Sequence, residues 1–375
     1  MPGIYIHIPF CKQKCKYCDF NSFAGLEALY GLHVRAVMLE IASKALELDD
    51  LNTESIYIGG GTPTLLDPLH VDALLTEVYR RFTVSDDAEV TIEANPETIG
   101  KVKLAQLKQA GVNRLSIGFQ SLDDGLLKLL GRKHSAAQAV RAFNNAREAG
   151  FENINIDLIF GIPGQSLANW AITLEQVVAL EPDHLSCYGL MVEPQTALER
   201  EIASGKLSKP DEDLQADMFT YTIESLSESG YEHYEISNYA KPGHRSRHNL
   251  VYWNNGDYIG FGAGAHSKIG NKRFRNVSGP KEYINSVIAG TNNAFEVVDL
   301  TKDDMISETI FLGLRKIEGL DLSSFEARFG CSLQDIYGDQ IAELIKDGLL
   351  ERNNGSLRLT HKGILLGNEV FSRFV

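Results

Sequence analysis

Cysteine is scarce in this chain, with five residues in 375. So few, with no secretion signal ahead of them, exclude a disulfide-stapled extracellular domain and fit a reduced, cytoplasmic chain. Long apolar runs are missing as well. None approaches the roughly eighteen residues that span a bilayer, so stable membrane insertion is not expected. Positive charge is in deficit: 36 Lys and Arg against 50 Asp and Glu give a formal charge of −14 and a pI near 5.2. A general nucleic-acid binder needs a basic face. Only a small basic patch, Lys241, His244, Arg245 and Arg247, stands against that deficit. Low-complexity tracts and long charge blocks are also absent, so little disorder is expected.

What the few cysteines have is spacing. Cys11, Cys15 and Cys18 form C-x3-C-x2-C on one short loop. A closed structural zinc site takes four ligands, and a fully ligated electron-transfer cluster takes four cysteines. No fourth cysteine follows within reach: position 20 is Phe20, and the others are Cys187 and Cys331. Three thiolates leave one iron of a 4Fe–4S cube free for a substrate or cofactor. Zinc with His7 as fourth ligand is the competing reading. It is disfavoured because His7 lies in an apolar alternating run that reads as a strand.

Periodicity alternates strand-like and helix-like segments through the first half. Strands are expected at 4–8, 55–58, 89–94, 114–118, 153–160 and 184–191, and helices at 29–48, 68–82, 102–110, 136–149 and 167–180. Repeated β–α units imply parallel strands with right-handed crossovers. Six units make either an open doubly wound sheet or a partial barrel, since a complete eight-unit barrel takes about 250 residues. Either way ligands bind at the C-terminal strand ends. There lie the cysteines after strand one, Gly59-Gly60-Gly61-Thr62-Pro63 after strand two, Glu93 ending strand three, Gln120 after strand four and Asp157 within strand five. Their convergence on one rim argues for a single site. The glycines let a backbone approach a ligand closely; they are neither a Walker loop nor a dinucleotide fingerprint.

Past Pro194 the pattern changes. A helix is expected at 213–229 and a strand at 231–236, then 237–280 lacks periodicity, and an irregular region this long is either functional or carries structure that periodicity does not reveal. Helices at 303–316, 322–329 and 333–347, a hairpin across Asn353-Asn354-Gly355 and a last helix from about residue 362 suggest a winged-helix-like unit. The 333–347 helix has few basic residues, so DNA binding is not expected.

Together these motifs resemble the radical S-adenosylmethionine (SAM) superfamily, and within it the oxygen-independent coproporphyrinogen III oxidases and their relatives. The likeness rests on residues 5–11 (Tyr-Ile-His-Ile-Pro-Phe-Cys), Cys15, Tyr17, Cys18, Gly59 to Pro63, Glu93-Ala-Asn-Pro96, Ser116-Ile-Gly-Phe-Gln120, Gly131-Arg132 and Asp157, and it extends over nearly the whole chain. The resemblance implies an α/β fold. Residues 1–235 would form a partial (β/α)6 TIM-like barrel, 236–300 a connecting region, and 301–375 a winged-helix-like C-terminal domain. It implies that Cys11, Cys15 and Cys18 hold the 4Fe–4S cluster, with SAM on the open iron. Gly60, Gly61 and Thr62 would contact the methionyl part. Tyr5, Tyr17, Glu93, Gln120, Arg132, Asp157 and the backbone at Met191 would complete the pocket, Arg132 pairing with the methionyl carboxylate. Reduction of the cluster would cleave SAM to a 5′-deoxyadenosyl radical. No residue is assigned a catalytic role.

Two departures separate the chain from the true oxidases of that family. Those carry a further cysteine two residues after the third, where this chain has Phe20, and a longer N-terminal segment that helps hold the porphyrinogen. Oxidase activity is therefore doubtful. Arg247-His248-Asn249-Leu250-Val251-Tyr252-Trp253 instead resembles the HNxxYW motif of HemW-type heme chaperones. That likeness implies heme ligation by His248, a flat apolar surface from Tyr252 and Trp253, and propionate pairing by Arg245 and Arg247. His244 and His266 are competing ligands. The expected function is a heme chaperone that binds heme, a 4Fe–4S cluster and SAM and passes heme to acceptor proteins. The alternative is an oxidase-like radical SAM enzyme of porphyrin biosynthesis. Acceptor contact at a membrane is transient in this reading, and a homodimer is compatible with the sequence without being specified by it.

Overall fold

The computed structural model describes residues 2–291 and 294–375. Six parallel strands come first: β1 (Gly3–Ile8), β2 (Asn52–Gly60), β3 (Thr83–Ala94), β4 (Arg114–Gln120), β5 (Asn153–Phe160) and β6 (His184–Gly189). They lie side by side in sequence order. A doubly wound sheet would reverse that order partway. The unreversed order, with right-handed crossovers, keeps every helix on one face, which is the winding of a partial (β/α)6 barrel. The crossovers are α1 (Tyr30–Lys44), α2 (Pro68–Arg81), α3 (Lys101–Gln109), α4 (Asp124–Leu130) with α5 (Ala136–Glu148), and α6 (Leu167–Val178).

Strand alternation explains how the barrel divides its chemistry. One face of β1–β5 carries Ile4, Ile6, Ile8, Ile56, Ile58, Val90, Ile92, Leu115, Ile117, Ile154 and Ile156, all buried against Val37, Leu74, Leu104, Phe143 and Leu174 of the helices. The other face carries Tyr5, His7, Ser55, Tyr57, Glu89, Glu93, Arg114, Ser116, Asn155 and Asp157. The parallel register sets polar beside polar, as in Tyr5 with Tyr57, Glu93 with Ser116, and Ser116 with Asn155. The lumen is therefore hydrophilic, and the apolar core sits outside it.

After α7 (Ala197–Ala203) and α8 (Glu212–Glu228), the antiparallel pair β7 (Glu232–Glu235) and β8 (Asn238–Ala240) extends the sheet beyond β6. The aperiodic stretch 237–280 is the second of its two expected alternatives, largely structured. It holds β8, helix α9 (Arg247–Trp253), β9 (Tyr258–Phe261), β10 (His266–Ile269) and β11 (Lys272–Asn276). Elements of three to seven residues are too short for a periodicity to emerge. β9 pairs in parallel with β1, and β10, β11 and β12 (Ala294–Asp299) continue outward, giving twelve strands in one sheet. The region 236–300 is thus woven into the barrel's own sheet. α10 (Pro280–Ile288) packs on α1, where buried Tyr283 donates to Glu40 at 2.6 Å.

The C-terminal unit has its own core around Ile310, Phe325, Leu344 and Leu357. Helices α11 (Lys302–Leu314), α12 (Leu322–Phe329) and α13 (Leu333–Lys346) pack with a small sheet of β13 (Leu320–Asp321), β14 (Leu350–Asn353) and β15 (Ser356–Leu359). Asn354, with φ +48°, and Gly355 make the expected hairpin turn. No helix among the described residues is long and apolar enough to cross a membrane.

Candidate cofactor site

A cavity of about 370 Å³ opens at the C-terminal ends of the six strands, lined by the loop after β1 and by residues of β2 to β6 or just beyond their ends. That size lies within the range of small-molecule sites. Cys11, Cys15 and Cys18 line it from the loop after β1, Gly60, Gly61 and Thr62 from the end of β2, and Glu93 and Asn95 from β3. Ser116 and Gln120 of β4, Asp157 of β5 and Met191 after β6 close the ring, with Tyr17 and Arg132 above them.

The cysteine loop is held from several sides by backbone bonds. Cys11 N donates to Phe23 O at 2.9 Å, Lys16 N to Leu130 O at 3.0 Å, and Leu198 N to Lys16 O at 2.8 Å. Thr62 Oγ1 lies 3.6 Å from Cys11 Sγ, and Arg132 Nη1 lies 3.7 Å from Cys15 Sγ. A hydroxyl and a guanidinium beside two thiols suit a site that carries thiolate charge. Burial pushes the Cys18 thiol up to about 11. No other cysteine approaches: Cys187 is buried in the core and Cys331 belongs to the C-terminal unit. Phe20, 63 % exposed, lines the cavity mouth instead. The residues present therefore fit a three-thiolate cluster with an open corner.

His7 does not fit as a fourth metal ligand. Its Nδ1 is 2.9 Å from Tyr5 Oη and its Nε2 2.8 Å from Asn21 O, so both ring nitrogens are engaged. The ring lies under the glycine turn, where a Cβ on Gly60 (φ +114°) would meet it at 2.6 Å. At Gly61 a Cβ would meet Phe10 O at 2.5 Å. The glycines thus serve the seating of the cysteine loop as well as any ligand approach.

The floor is made by carboxylates. Glu93 accepts from Tyr57 Oη at 2.8 Å and from Gly60 N at 3.0 Å. Burial pushes its carboxyl up to about 7 against those two bonds. Asp157 accepts from Asn155 Nδ2 at 2.7 Å and Ser116 Oγ at 3.1 Å, and burial raises it as well. Two carboxylates facing a cavity can accept from an ammonium or ribose hydroxyls. Gln120 ends β4 with φ +66°, and its amide lies over Gly118, where a Cβ would meet Nε2 at 2.7 Å. Met191 stands at the rim, 66 % exposed.

Twelve of the thirteen residues named for cluster and SAM line this cavity; the thirteenth, Tyr5, does not. Tyr5 stands beside Tyr57 in the register, stacked on it at 6.2 Å, with its hydroxyl turned to His7. Tyr57, two positions along β2 from Gly59 on the same lumen face, takes the place expected of it. Sequence reading also passed over Asn95, which lies inside the quoted Glu-Ala-Asn-Pro motif, and Tyr188, whose inward parity on β6 was available as a signal.

The heme trio lies elsewhere. His248 sits in the lumen beneath the cavity, 1 % exposed, with Ser55 Oγ 3.0 Å from Nδ1 and Tyr252 Oη 2.9 Å from Nε2. Burial lowers its imidazole to about 3, so it is neutral. Its backbone N–H and that of Arg247 donate to the buried Glu89 carboxylate, each at 3.1 Å. The Trp253 ring is covered by the Arg315 guanidinium at 4.5 Å. Arg247 pairs with Asp87, and Arg245 with Glu232 and Glu318. In this conformation the imidazole, the Trp253 ring and both arginines are each engaged by neighbouring side chains.

The C-terminal-end cavity with its three-cysteine loop defines a radical SAM protein, and residues 5–177 match the radical SAM superfamily, with residues 300–366 matching the HemN C-terminal domain. The chain is 39 % identical over 376 residues to heme chaperone HemW of Bacillus subtilis (strain 168), covering 100 % of this chain and 99 % of that one. It is 36 % identical to mouse "Radical S-adenosyl methionine domain-containing protein 1, mitochondrial", covering 96 % of this chain and 84 % of that one. The solved structure of Escherichia coli coproporphyrinogen III oxidase (HemN), a radical SAM enzyme, superposes with a TM-score of 0.86 at 29 % identity, over 100 % of this chain and 90 % of that one. The chain belongs to the HemW family.

Proposed function

We propose that this protein is a heme chaperone. In this reading it holds a 4Fe–4S cluster on Cys11, Cys15 and Cys18, takes up SAM in the adjoining cavity, binds heme and passes it to acceptor proteins. The observation that carries the reading is full-length likeness to a heme chaperone in a chain whose three-cysteine loop opens onto a cavity. When bound, the cluster and SAM supply one-electron chemistry at the open iron. This chain's part is to orient SAM: Glu93 and Asp157 as acceptors, Arg132 as donor to a carboxylate, and Gly60 to Thr62 as the backbone wall.

Heme iron could reach His248 only with α9 displaced, since Ser55 and Tyr252 occupy both its ring nitrogens. His266 on β10 is an exposed imidazole, on the strand that pairs with β11 opposite Arg275.

The test is anaerobic reconstitution, iron and sulfide analysis, then hemin titration and transfer to an apo-hemoprotein. Stoichiometric heme uptake with a shifted Soret band is expected; no shift at one equivalent rejects the chaperone reading. The superposition on the oxidase keeps a second reading in view. An anaerobic assay with SAM, reductant and coproporphyrinogen III that yields protoporphyrinogen and 5′-deoxyadenosine would establish that one.

A further inference from the structure

The lumen beneath the cavity is filled by one stack of rings. Tyr57 lies on His248 at a centroid distance of 5.2 Å and an interplanar angle of 27°, and Tyr5 covers His248 at 6.4 Å. Tyr252 meets the imidazole edge-on at 5.0 Å. From this stack one polar atom reaches the cavity, the Tyr57 hydroxyl, which donates to Glu93. His248 in turn is fixed at every polar atom: Nδ1 by Ser55, Nε2 by Tyr252 and the backbone N–H by Glu89. Glu89 also takes the N–H of Arg247 and the hydroxyl of Ser246, which caps α9. Gly3 makes room on the remaining side, where a Cβ would lie 3.3 Å from the imidazole. Such a ring, clamped at both nitrogens and neutral, is a packing and orienting element.

We propose that His248 is a positioning residue for the cavity: it sets the Tyr57 ring, and through the Tyr57 hydroxyl the rotamer of Glu93, so that α9 acts on the SAM site from below. The proposal rests on the reading that SAM occupies the cavity. It departs from the heme-ligand role that the motif implies. An imidazole that left its place to bind iron would strip Tyr57 of its support, so iron ligation by His248 and ligand binding at Glu93 would oppose each other by the same factor in both directions.

The experiment uses the full chain with its cluster reconstituted: wild type, His248→Ala, His248→Gln, Tyr57→Phe and the His248→Ala/Tyr57→Phe double variant. SAM affinity is read by calorimetry, its effect on the reduced cluster by electron paramagnetic resonance, and heme uptake by the Soret band. His248→Ala is expected to weaken SAM about tenfold and to blunt the SAM-induced change in the cluster signal. His248→Gln, which keeps one donor and one acceptor, should recover most of the loss. Tyr57→Phe should cost as much as His248→Ala, and the double variant no more than either. Heme uptake should be the same in all five. Wild-type SAM affinity in His248→Ala, or additive losses in the double variant, overturns the proposal. So does loss of the Soret band in both His248 variants with SAM binding intact, the result expected of an iron ligand. Where His248→Ala fails to fold, His248→Gln and Tyr57→Phe decide: wild-type SAM affinity in Tyr57→Phe overturns it. A wild type that takes up no heme rejects the chaperone reading and leaves the SAM result standing; one that takes up no SAM rejects this proposal.

Discussion

Arg132 reaches Asn95 at 2.7 Å and, with the same Nη2, the Gly118 carbonyl at 2.8 Å, while Nη1 points at Cys15. One guanidinium thereby ties the ends of β3 and β4 to the cysteine loop. Asn95 passes the tie on to Thr62 Oγ1 at 3.1 Å, and Thr62 to Cys11. The cavity wall and the thiol loop are one hydrogen-bonded unit, joined through Arg132 in the connection between α4 and α5.

Arg132→Met should weaken SAM binding by about 10- to 100-fold, since a charge-assisted donor is worth roughly 1.5–3 kcal/mol and Asn95 loses its partner with it. Iron content should hold, because the three thiols are untouched. Calorimetry on reconstituted protein, with iron counted per chain, separates the two effects. A variant with wild-type affinity would remove Arg132 from the site.

Glu93 makes a prediction in pH. Its folded carboxyl titrates near 7, above the ordinary value of 4.5. The folded state therefore binds the extra proton between those two values, and this group's contribution to stability falls as pH rises from about 4.5 to about 7, then levels off. Glu93→Gln lacks that slope. The melting temperature of the variant minus that of the wild type, both without SAM, should rise between pH 5 and pH 7.5 and stay flat above it. A difference independent of pH would mean that Glu93 is ionised throughout. SAM, placing a cation against the carboxylate, should also release a proton on binding near pH 7.

Much of this site was legible because barrel topology puts strand ends together. Once β–α units were recognised, Cys11, Gly60, Glu93, Gln120 and Asp157 had to share a rim. What escaped notice follows from two physical facts. Period-2 parity puts both Tyr5 and Tyr57, direct partners in the β1–β2 register, on the lumen face, and what separates them is where their hydroxyls go: that of Tyr57 to Glu93 in the cavity, that of Tyr5 to His7. Short elements leave no periodic trace. The helix Arg247–Trp253 has seven residues and reads as loop, so the burial of His248, bonded to Glu89 159 positions earlier in the chain, could not be seen.

Gly61→Ala tests whether the glycine turn serves packing. The φ of Gly61 is not in the left-handed range, so the backbone alone tolerates alanine; the obstacle is Phe10 O at 2.5 Å from the new Cβ. Phe10 is fully buried and precedes Cys11, so the cysteine loop has to move rather than Phe10 yield. Iron incorporation should fall to less than about half of wild type, with the far-ultraviolet circular dichroism unchanged. Full iron content in Gly61→Ala would show that the loop tolerates the shift.

Besides the backbone bond from Leu198 to Lys16, two side-chain contacts hold the cysteine loop against α7, and their strengths differ. Lys16 Nζ meets Glu201 at 2.8 Å, but the two side chains are 32 % and 20 % accessible. A pair that open to solvent contributes about 0–1 kcal/mol. Leu198, fully buried, packs with Leu126, Leu130, Ile159, Ile162 and Leu190, and Tyr17 of the loop leans on the same cluster. Truncating such a leucine costs about 2–5 kcal/mol. Glu201→Ala should therefore leave the melting temperature and the rate of iron loss to a chelator close to wild type. Leu198→Ala should lower the first by several degrees and raise the second several-fold, because it opens a cavity in the apolar cluster against which Tyr17, between Cys15 and Cys18, packs. If Glu201→Ala sheds iron as fast as Leu198→Ala, the salt bridge, and not the apolar cluster, is what clamps the loop.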